Sequence, residues 1–218
     1  MNDFAVIFDM DGVLVDNNQY HNIAWLEFCK RKNLRISQEE IVSRYGTSNI
    51  EFFNLLYGDK ISKEEADRLG EEKEAIYREI YEKDIVPATG LVPLLASLKE
   101  HGFKLAVATS AIPNNLNFVL DKINVRKYFD KLADSSMVKK AKPAPDVYLK
   151  ASELLGIPPS RCLVFEDAVQ GVKAALSAQM KVVAITSTFM RDNLKQADLI
   201  INSFTEITPK DIEAILKS

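Results

Sequence analysis

The most informative segment lies near the N-terminus and reads Phe4-Ala5-Val6-Ile7-Phe8-Asp9-Met10-Asp11-Gly12-Val13. Its first five residues are apolar and predict a buried strand. Asp9 and Asp11 follow directly, in a turn opened by Gly12. Side chains of an extended segment alternate between faces, so these two carboxylates share a face. Two like charges 4 Å apart repel by about 4 kcal/mol at an effective dielectric of 20, so the pair indicates a cation or a reaction that needs it.

Composition excludes several classes of function. The 218 residues carry 28 Lys and Arg against 31 Asp and Glu, a formal net charge of −3. No basic stretch is long enough for nucleic-acid binding, and no apolar run reaches the roughly 18 residues of a membrane span. Two cysteines, Cys29 and Cys162, lie far apart in apolar surroundings, which predicts reduced core residues in a cytoplasmic protein. We expect a monomer without nucleic-acid or membrane partners.

The order of predicted elements divides the chain in two. Residues 17–85 carry helical patterns without a convincing strand, whereas strands and helices alternate after them. The later strands are predicted at 104–108, 131–133, 162–165, 181–185 and 199–201. Such alternation predicts an α/β fold with a Rossmann-like parallel sheet covered by helices on both faces. We therefore predict a discontinuous core catalytic domain over 1–16 and 86–218, with an inserted all-helical cap domain over 17–85.

Two predicted helices concern packing rather than chemistry. The first cap helix is predicted over 18–32, with Ile23, Leu26 and Phe28 on or near its apolar face. A short helix is predicted over 191–196, before the last strand.

Four groups of polar residues come at the ends of predicted strands. They are Asp9 with Asp11, Thr109-Ser110, Lys142 before Pro143-Ala144-Pro145-Asp146, and Glu166-Asp167. Each alone has an ordinary interpretation as a capped turn, a helix cap or a solvated lysine. In an open parallel sheet, however, the carboxyl ends of the strands form one edge, where ligands bind. Together the groups supply carboxylates for Mg²⁺, a further carboxylate, a hydroxyl and a cation, which is the inventory of phosphoryl transfer.

This ordered set of motifs resembles the haloacid dehalogenase superfamily, in its β-phosphoglucomutase-like branch with a helical cap. The resemblance covers the whole chain, although Ala141 stands where the family commonly carries Gly. It implies that Asp9 is the nucleophile that forms an aspartyl phosphate. It also implies that Asp11 is the general acid and base, with a backbone carbonyl that contacts Mg²⁺. The dehalogenases themselves lack this second Asp, so the resemblance points to phosphoryl transfer.

The same resemblance implies roles for the other three motifs. Thr109 and backbone N–H groups near Ser110 would bind the phosphoryl oxygens. Lys142 would balance the charge of the nucleophile and the phosphate, and Asp167 would bind Mg²⁺ with Glu166 beside it. The implied metal ligands are Asp9, Asp11, Glu166 and Asp167.

The cap and one core loop bear on the choice between a mutase and a phosphatase. A phosphomutase must hold a bisphosphate, which requires a second anion site. The related mutases place an Arg in the cap loop where this chain has Asn49, and Ser, Lys and Asn where it has Ala111-Ile112-Pro113. Arg is the residue suited to bidentate phosphate binding, so these differences favour a phosphatase.

We therefore predict a Mg²⁺-dependent phosphatase acting on a small phosphorylated metabolite such as a sugar phosphate. The cap residues expected to contact substrate are His21, Gly46, Asn49 and Lys73, although His21 could equally pack on a helix face. A β-phosphoglucomutase that interconverts β-glucose 1-phosphate and glucose 6-phosphate is the alternative. A catalytically idle binding protein on the same fold is a further alternative, which the intact acid pair disfavours.

Overall fold

The computed structural model describes residues 3–42, 49–58 and 61–218. Contacts between Cα atoms divide the chain into two compact units. One consists of Met1–Asp16 with Val86–Ser218, and the other is Asn17–Ile85. No helix within the described ranges has the length and apolar character needed to cross a membrane.

The discontinuous unit is built on a parallel sheet. Its described strands are β1 (Ala5–Phe8), β2 (Lys104–Ala108), β3 (Lys131–Ala133), β4 (Cys162–Glu166), β5 (Lys181–Ile185) and β6 (Leu199–Ile201). Their order is β3-β2-β1-β4-β5-β6, and every neighbouring pair is parallel. The predicted α/β fold with a parallel sheet is confirmed. The strand order reverses between β1 and β4, and ligands bind beyond the carboxyl ends of strands at such a point.

Helices cover both faces of the sheet. They are α5 (Leu91–Glu100), α6 (Pro113–Lys122), α7 (Asp146–Leu155), α8 (Val169–Ser177) and α9 (Pro209–Lys217). On one face, Ile7 of β1 belongs to an apolar cluster with Val147 of α7 and Val172 of α8. On the other face, Phe8 stacks on Phe165 with ring centroids 5.0 Å apart, and α9 packs on both β4 and α5. The central strands are therefore buried on both sides, as their continuous apolar runs require.

The helix expected over 191–196 is wrong in type. Arg191–Leu194 forms a short 3₁₀ helix, and Leu194 is its one buried residue. A single buried side chain does not provide the apolar stripe that stabilises a longer α-helix against the sheet.

The second unit consists, as far as it is described, of helices. They are α1 (Asn18–Arg31), α2 (Gln38–Val42), α3 (Asn49–Tyr57) and α4 (Lys63–Tyr81), with α1 and α3 both packed on α4. The face expected for α1 is partly wrong, because Ile23 is 45% exposed and Leu26 39% exposed. The buried residues are Ala24, Trp25, Phe28 and Cys29. At 100° per residue those four form one stripe, and positions 23 and 26 fall on either side of it.

Candidate active site

The turn after β1 places the first two carboxylates. The backbone N–H of Asp9 donates to the carbonyl of Phe165 at 3.0 Å, which continues the pairing of β1 with β4 beyond the strand end. Asp11 is half-buried two residues later. Gly12 has a positive φ of 75°, and a Cβ there would lie 2.0 Å from Asp167 Oδ2. Glycine is therefore required, both for the backbone conformation and for the close approach of Asp167.

Lys142 reaches this turn from a distant part of the chain. Its Nζ donates to Asp9 Oδ1 at 2.8 Å and to Glu166 Oε1 at 2.7 Å. The ammonium also lies 4.7 Å from the ring centroid of Tyr148. The side chain is 10% exposed, so this lysine is a buried counter-ion and not a solvated surface residue.

Glu166 is saturated with hydrogen bonds. Its Oε1 accepts from Lys142 and, at 2.7 Å, from the hydroxyl of Tyr148. Its Oε2 accepts from the backbone N–H groups of Asp167 at 2.8 Å and Ala168 at 2.9 Å. A carboxylate has about four lone-pair positions, and these contacts use them. The geometry therefore favours Glu166 as the group that holds Lys142 over Glu166 as a direct metal ligand.

Asp9, Glu166 and Asp167 form a compact group of carboxylates. One oxygen from each lies within 4.8 Å of the others, and all three side chains are buried. Burial raises the pKa of Asp9 to about 7 against the charge of Lys142, and the charge of Glu166 adds to the increase. Burial likewise raises the pKa of Asp167 well above its usual value, and its carboxylate neighbours add to the effect. Burial alone would raise the pKa of Glu166, but the Lys142 ammonium holds it below its usual value.

The described cluster places three carboxylates beside the one ammonium of Lys142. Glu166 is fully engaged by its four donors, whereas Asp9 and Asp167 keep carboxylate oxygens of the kind that Mg²⁺ prefers as ligands. The donor set therefore fits a hard divalent cation.

Thr109 and Ser110 follow β2 at the same edge of the sheet. Thr109 is buried, and its backbone N–H donates to Ala133 at 3.0 Å. Its Oγ1 accepts from the backbone N–H of Ala111 at 3.0 Å, which leaves the hydroxyl proton to be donated. Thr109, Ser110 and Lys142 line one cavity of about 170 Å³. The structure thus brings these predicted phosphate-binding residues to one place.

The loop after β5 contributes two residues that the sequence analysis missed. Ser187 Oγ donates to the carbonyl of Gly12 at 2.5 Å, and Thr188 Oγ1 donates to Asp167 Oδ2. A signal for them was present, because Thr186-Ser187-Thr188 is a further polar group directly after a predicted strand. Tyr148 was also missed, and a tyrosine within an amphipathic helix offers no comparable signal.

The predicted cap residues are described only in part. Lys73 is 3% exposed, and its Nζ lies 2.6 Å from Glu74 Oε1 and 3.2 Å from His21 Nδ1. His21 and Lys73 therefore lie together, and the ammonium of Lys73 is already bound within its own unit. Their contact with substrate stays a prediction. Gly46 and the side chain of Asn49 lie outside the described residues.

Known proteins resemble this chain in both sequence and fold. A family model for haloacid dehalogenase-like hydrolases matches residues 5–179. The chain therefore belongs to the haloacid dehalogenase-like hydrolase family, and the resemblance seen in its motifs is confirmed. Among solved structures, a hydrolase of family IA, variant 3, from Entamoeba histolytica superposes with a TM-score of 0.91 at 33% identity, covering 99% of this chain and 100% of that one.

Proteins of similar sequence include a phosphatase, a phosphoglucomutase and a chloroplastic protein. The chain is 31% identical to hexitol phosphatase A of Escherichia coli, over 93% of this chain and 92% of that protein. It is 29% identical to β-phosphoglucomutase of Bacillus subtilis, over 94% and 91%. It is also 31% identical to the chloroplastic protein Suppressor of Quenching 1 of Arabidopsis thaliana over 95% of this chain, but spans only 20% of that protein.

Proposed function

We propose that this protein is a phosphatase that hydrolyses a small phosphorylated metabolite, such as a sugar phosphate, through an aspartyl-phosphate intermediate. The observation that carries the proposal is the buried Asp9 carboxylate, held 2.8 Å from the Lys142 ammonium beside the oxygens of Asp167. Burial raises the pKa of Asp9 to about 7 in the metal-free protein, so the positive charges of Lys142 and of a bound divalent cation are needed to keep it a carboxylate that can act as a nucleophile. The phosphatases among the relatives support the same activity.

In the first step, an oxygen of Asp9 attacks the phosphorus of the substrate. The new O–P bond forms as the ester P–O bond breaks, and Asp11 gives its proton to the departing alkoxide. Lys142 offsets the negative charge gathered around the nucleophile. The Thr109 hydroxyl and the backbone N–H groups near Ser110 hold the phosphoryl oxygens.

In the second step, Asp11 takes a proton from water as the water oxygen attacks the same phosphorus. The bond from phosphorus to Asp9 breaks, which releases inorganic phosphate and restores the carboxylate. Asp11 is again protonated for the next cycle. One residue therefore acts first as acid and then as base, as the two half-reactions require.

Asp9 and Asp167, with the backbone carbonyl of Asp11, would hold Mg²⁺. When bound, the ion supplies positive charge that balances the phosphoryl oxygens and the carboxylates. Glu166 would then keep Lys142 in place next to the nucleophile through its four hydrogen bonds. We further propose that residues 1–16 and 86–218 carry the chemistry and that residues 17–85 form the cap that selects the substrate.

A β-phosphoglucomutase is the second candidate, favoured by the similarity to the Bacillus subtilis enzyme. A mutase needs a second group of phosphate ligands. In this chain, α6 begins at Pro113 after Ile112, and no side chain makes a capping hydrogen bond there. Ala111, Ile112 and Pro113 offer no side-chain donor, so this segment supports the phosphatase over the mutase.

Phosphate release from a panel of sugar and polyol phosphates distinguishes the candidates. We expect release that falls at least about a hundredfold when a chelator removes Mg²⁺, because the carboxylate cluster then lacks a balancing charge. Conversion of β-glucose 1-phosphate to glucose 6-phosphate with little free phosphate would establish the mutase instead. No release from any ester, together with no binding of beryllium fluoride as a phosphoryl mimic, would establish the idle binding protein.

Gly171→Ala tests whether the position of Glu166 matters. A Cβ at residue 171 would lie 1.6 Å from Glu166 Oε1, so the carboxylate must move away and its contact with Lys142 must change. We expect a loss of at least about tenfold in kcat, a typical cost when a charged group that supports the reacting atoms is displaced. The measurement is phosphate release at saturating Mg²⁺.

Gln170→Ala provides the matched control, because this residue is exposed on the same helix. It should keep wild-type activity and the same unfolding temperature. Wild-type kcat in Gly171→Ala would show that the position of Glu166 does not control turnover.

A further inference from the structure

We propose that Thr188 is a positioning residue that sets which oxygen of Asp167 faces the cation. The inference rests on the proposed function, since it concerns the metal ligand of that site. Thr188 lies outside the four motifs that define the site in the sequence. It follows β5, whereas Asp167 follows β4, so the contact joins the ends of two neighbouring strands.

One oxygen of Asp167 is enclosed on two sides. The Thr188 hydroxyl donates to Oδ2, and Gly12 lies so close to the same atom that there is no room for a Cβ. A Cβ built on Gly12 would be 2.0 Å from Asp167 Oδ2 and 2.8 Å from Thr188 Oγ1. Asp167 is 3% exposed, so its side chain is enclosed by protein. These contacts commit Oδ2 to the protein and leave Oδ1 as the oxygen for the cation.

The segment that carries the hydroxyl is itself held at two points. The backbone N–H of Thr186 donates to Ile201 of β6 at 3.1 Å. Ser187 Oγ donates to the carbonyl of Gly12 at 2.5 Å, within the turn that also carries Asp9 and Asp11. The backbone before Thr188 is therefore held by hydrogen bonds to β6 and to the turn that carries Asp9 and Asp11.

The hydrogen bond from Thr188 to Asp167 restricts the orientation of a carboxylate that would bind the metal. Asp167 shares a buried pocket with the carboxylates of Asp9 and Glu166, so its orientation is under repulsion from both. A hydroxyl donor fixes the carboxylate in one rotamer before the metal arrives. Loss of such a partner of a metal ligand typically costs 10- to 100-fold in metal affinity.

The test compares Thr188→Val with Thr188→Ser. The first change removes the hydroxyl and keeps the shape, and the second keeps the hydroxyl. Mg²⁺ binding to the metal-free protein is measured by calorimetry without substrate. We expect at least about tenfold weaker binding in Thr188→Val, and binding within about threefold of wild type in Thr188→Ser. The Mg²⁺ concentration for half-maximal phosphate release should rise by the same factor in Thr188→Val.

Thr186→Val is the matched control. It removes a hydroxyl from the same loop, where Thr186 Oγ1 donates to Asn202 Oδ1 at 3.0 Å away from the carboxylates. Its Mg²⁺ affinity should equal that of wild type. Wild-type affinity in a folded Thr188→Val protein would overturn the inference, and so would equal weakening in Thr186→Val or the absence of Mg²⁺ binding by the wild type.

The two proposals can fail separately. If Thr188→Val weakens Mg²⁺ binding but the wild type hydrolyses no ester, the proposed phosphatase is wrong and the positioning role stands. If the wild type hydrolyses an ester and Thr188→Val binds Mg²⁺ normally, the phosphatase stands and the positioning role is wrong.

Discussion

Asp9→Asn is expected to lower the rate of phosphate release by at least about a thousandfold while the protein stays folded. The amide cannot form the acyl phosphate, but it has the shape of the carboxylate and can still accept a hydrogen bond from Lys142. Removal of one negative charge from a buried group of three should not reduce the free energy of unfolding of the metal-free protein. The measurements are single-turnover phosphate release and thermal unfolding.

Binding of beryllium fluoride distinguishes loss of the nucleophile from loss of the whole site. Wild-type protein should bind beryllium fluoride with Mg²⁺ present, because a carboxylate oxygen is the atom that accepts it, and Asp9→Asn should not. Asp192→Asn, at a side chain that is 84% exposed, is the control and should match wild type in both assays. Turnover by Asp9→Asn within tenfold of wild type would remove Asp9 from its proposed role.

Lys142→Met is expected to affect both activity and stability. The ammonium contacts Asp9 at 2.8 Å and Glu166 at 2.7 Å, and the side chain is 10% exposed. Removing one partner of a buried ion pair typically costs about 3–5 kcal/mol, because the remaining charge has no compensation. We expect a loss of that size in the free energy of unfolding of the metal-free protein. Activity should fall at least a hundredfold, since the nucleophile then faces an anionic substrate without its nearby cation.

Lys195→Met is the control, because the Lys195 side chain is 69% exposed and its ion pair with Asp192 lies on the surface. It should change neither property by a measurable amount. The double variant Lys142→Met with Glu166→Gln should recover part of the lost free energy of unfolding, because it also removes one of the buried carboxylates left without a cation. It should recover none of the activity. Unfolding of Lys142→Met within about 1 kcal/mol of wild type would show that the two contacts contribute little.

Most of the sheet could be predicted from the sequence, because strand and helix signals are local. The five strands expected after residue 86 are all present, and four have the predicted bounds. Because parallel strands end at one edge, the same signals predict Asp9, Thr109 and Glu166 at one edge of the sheet. The strands that carry them, β1, β2 and β4, are neighbours in that sheet. Packing faces were less predictable, as α1 shows. Its apolar residues outnumber those that one face can bury, so the partner helix decides which are covered.

Local patterns in the chain are therefore enough to predict the order of strands and helices, the helical region before residue 86 and the polar residues at the strand ends. The contacts among those side chains become visible only in the folded chain: Glu166 accepts from Lys142, Gly171 leaves space for the Glu166 carboxylate, and Thr188 donates to Asp167. The physical reason is the difference in sequence separation between the two kinds of interaction. Periodicity and turn chemistry act within a few residues, whereas a hydrogen bond between side chains forms only when elements distant in the chain are packed to within 3 Å.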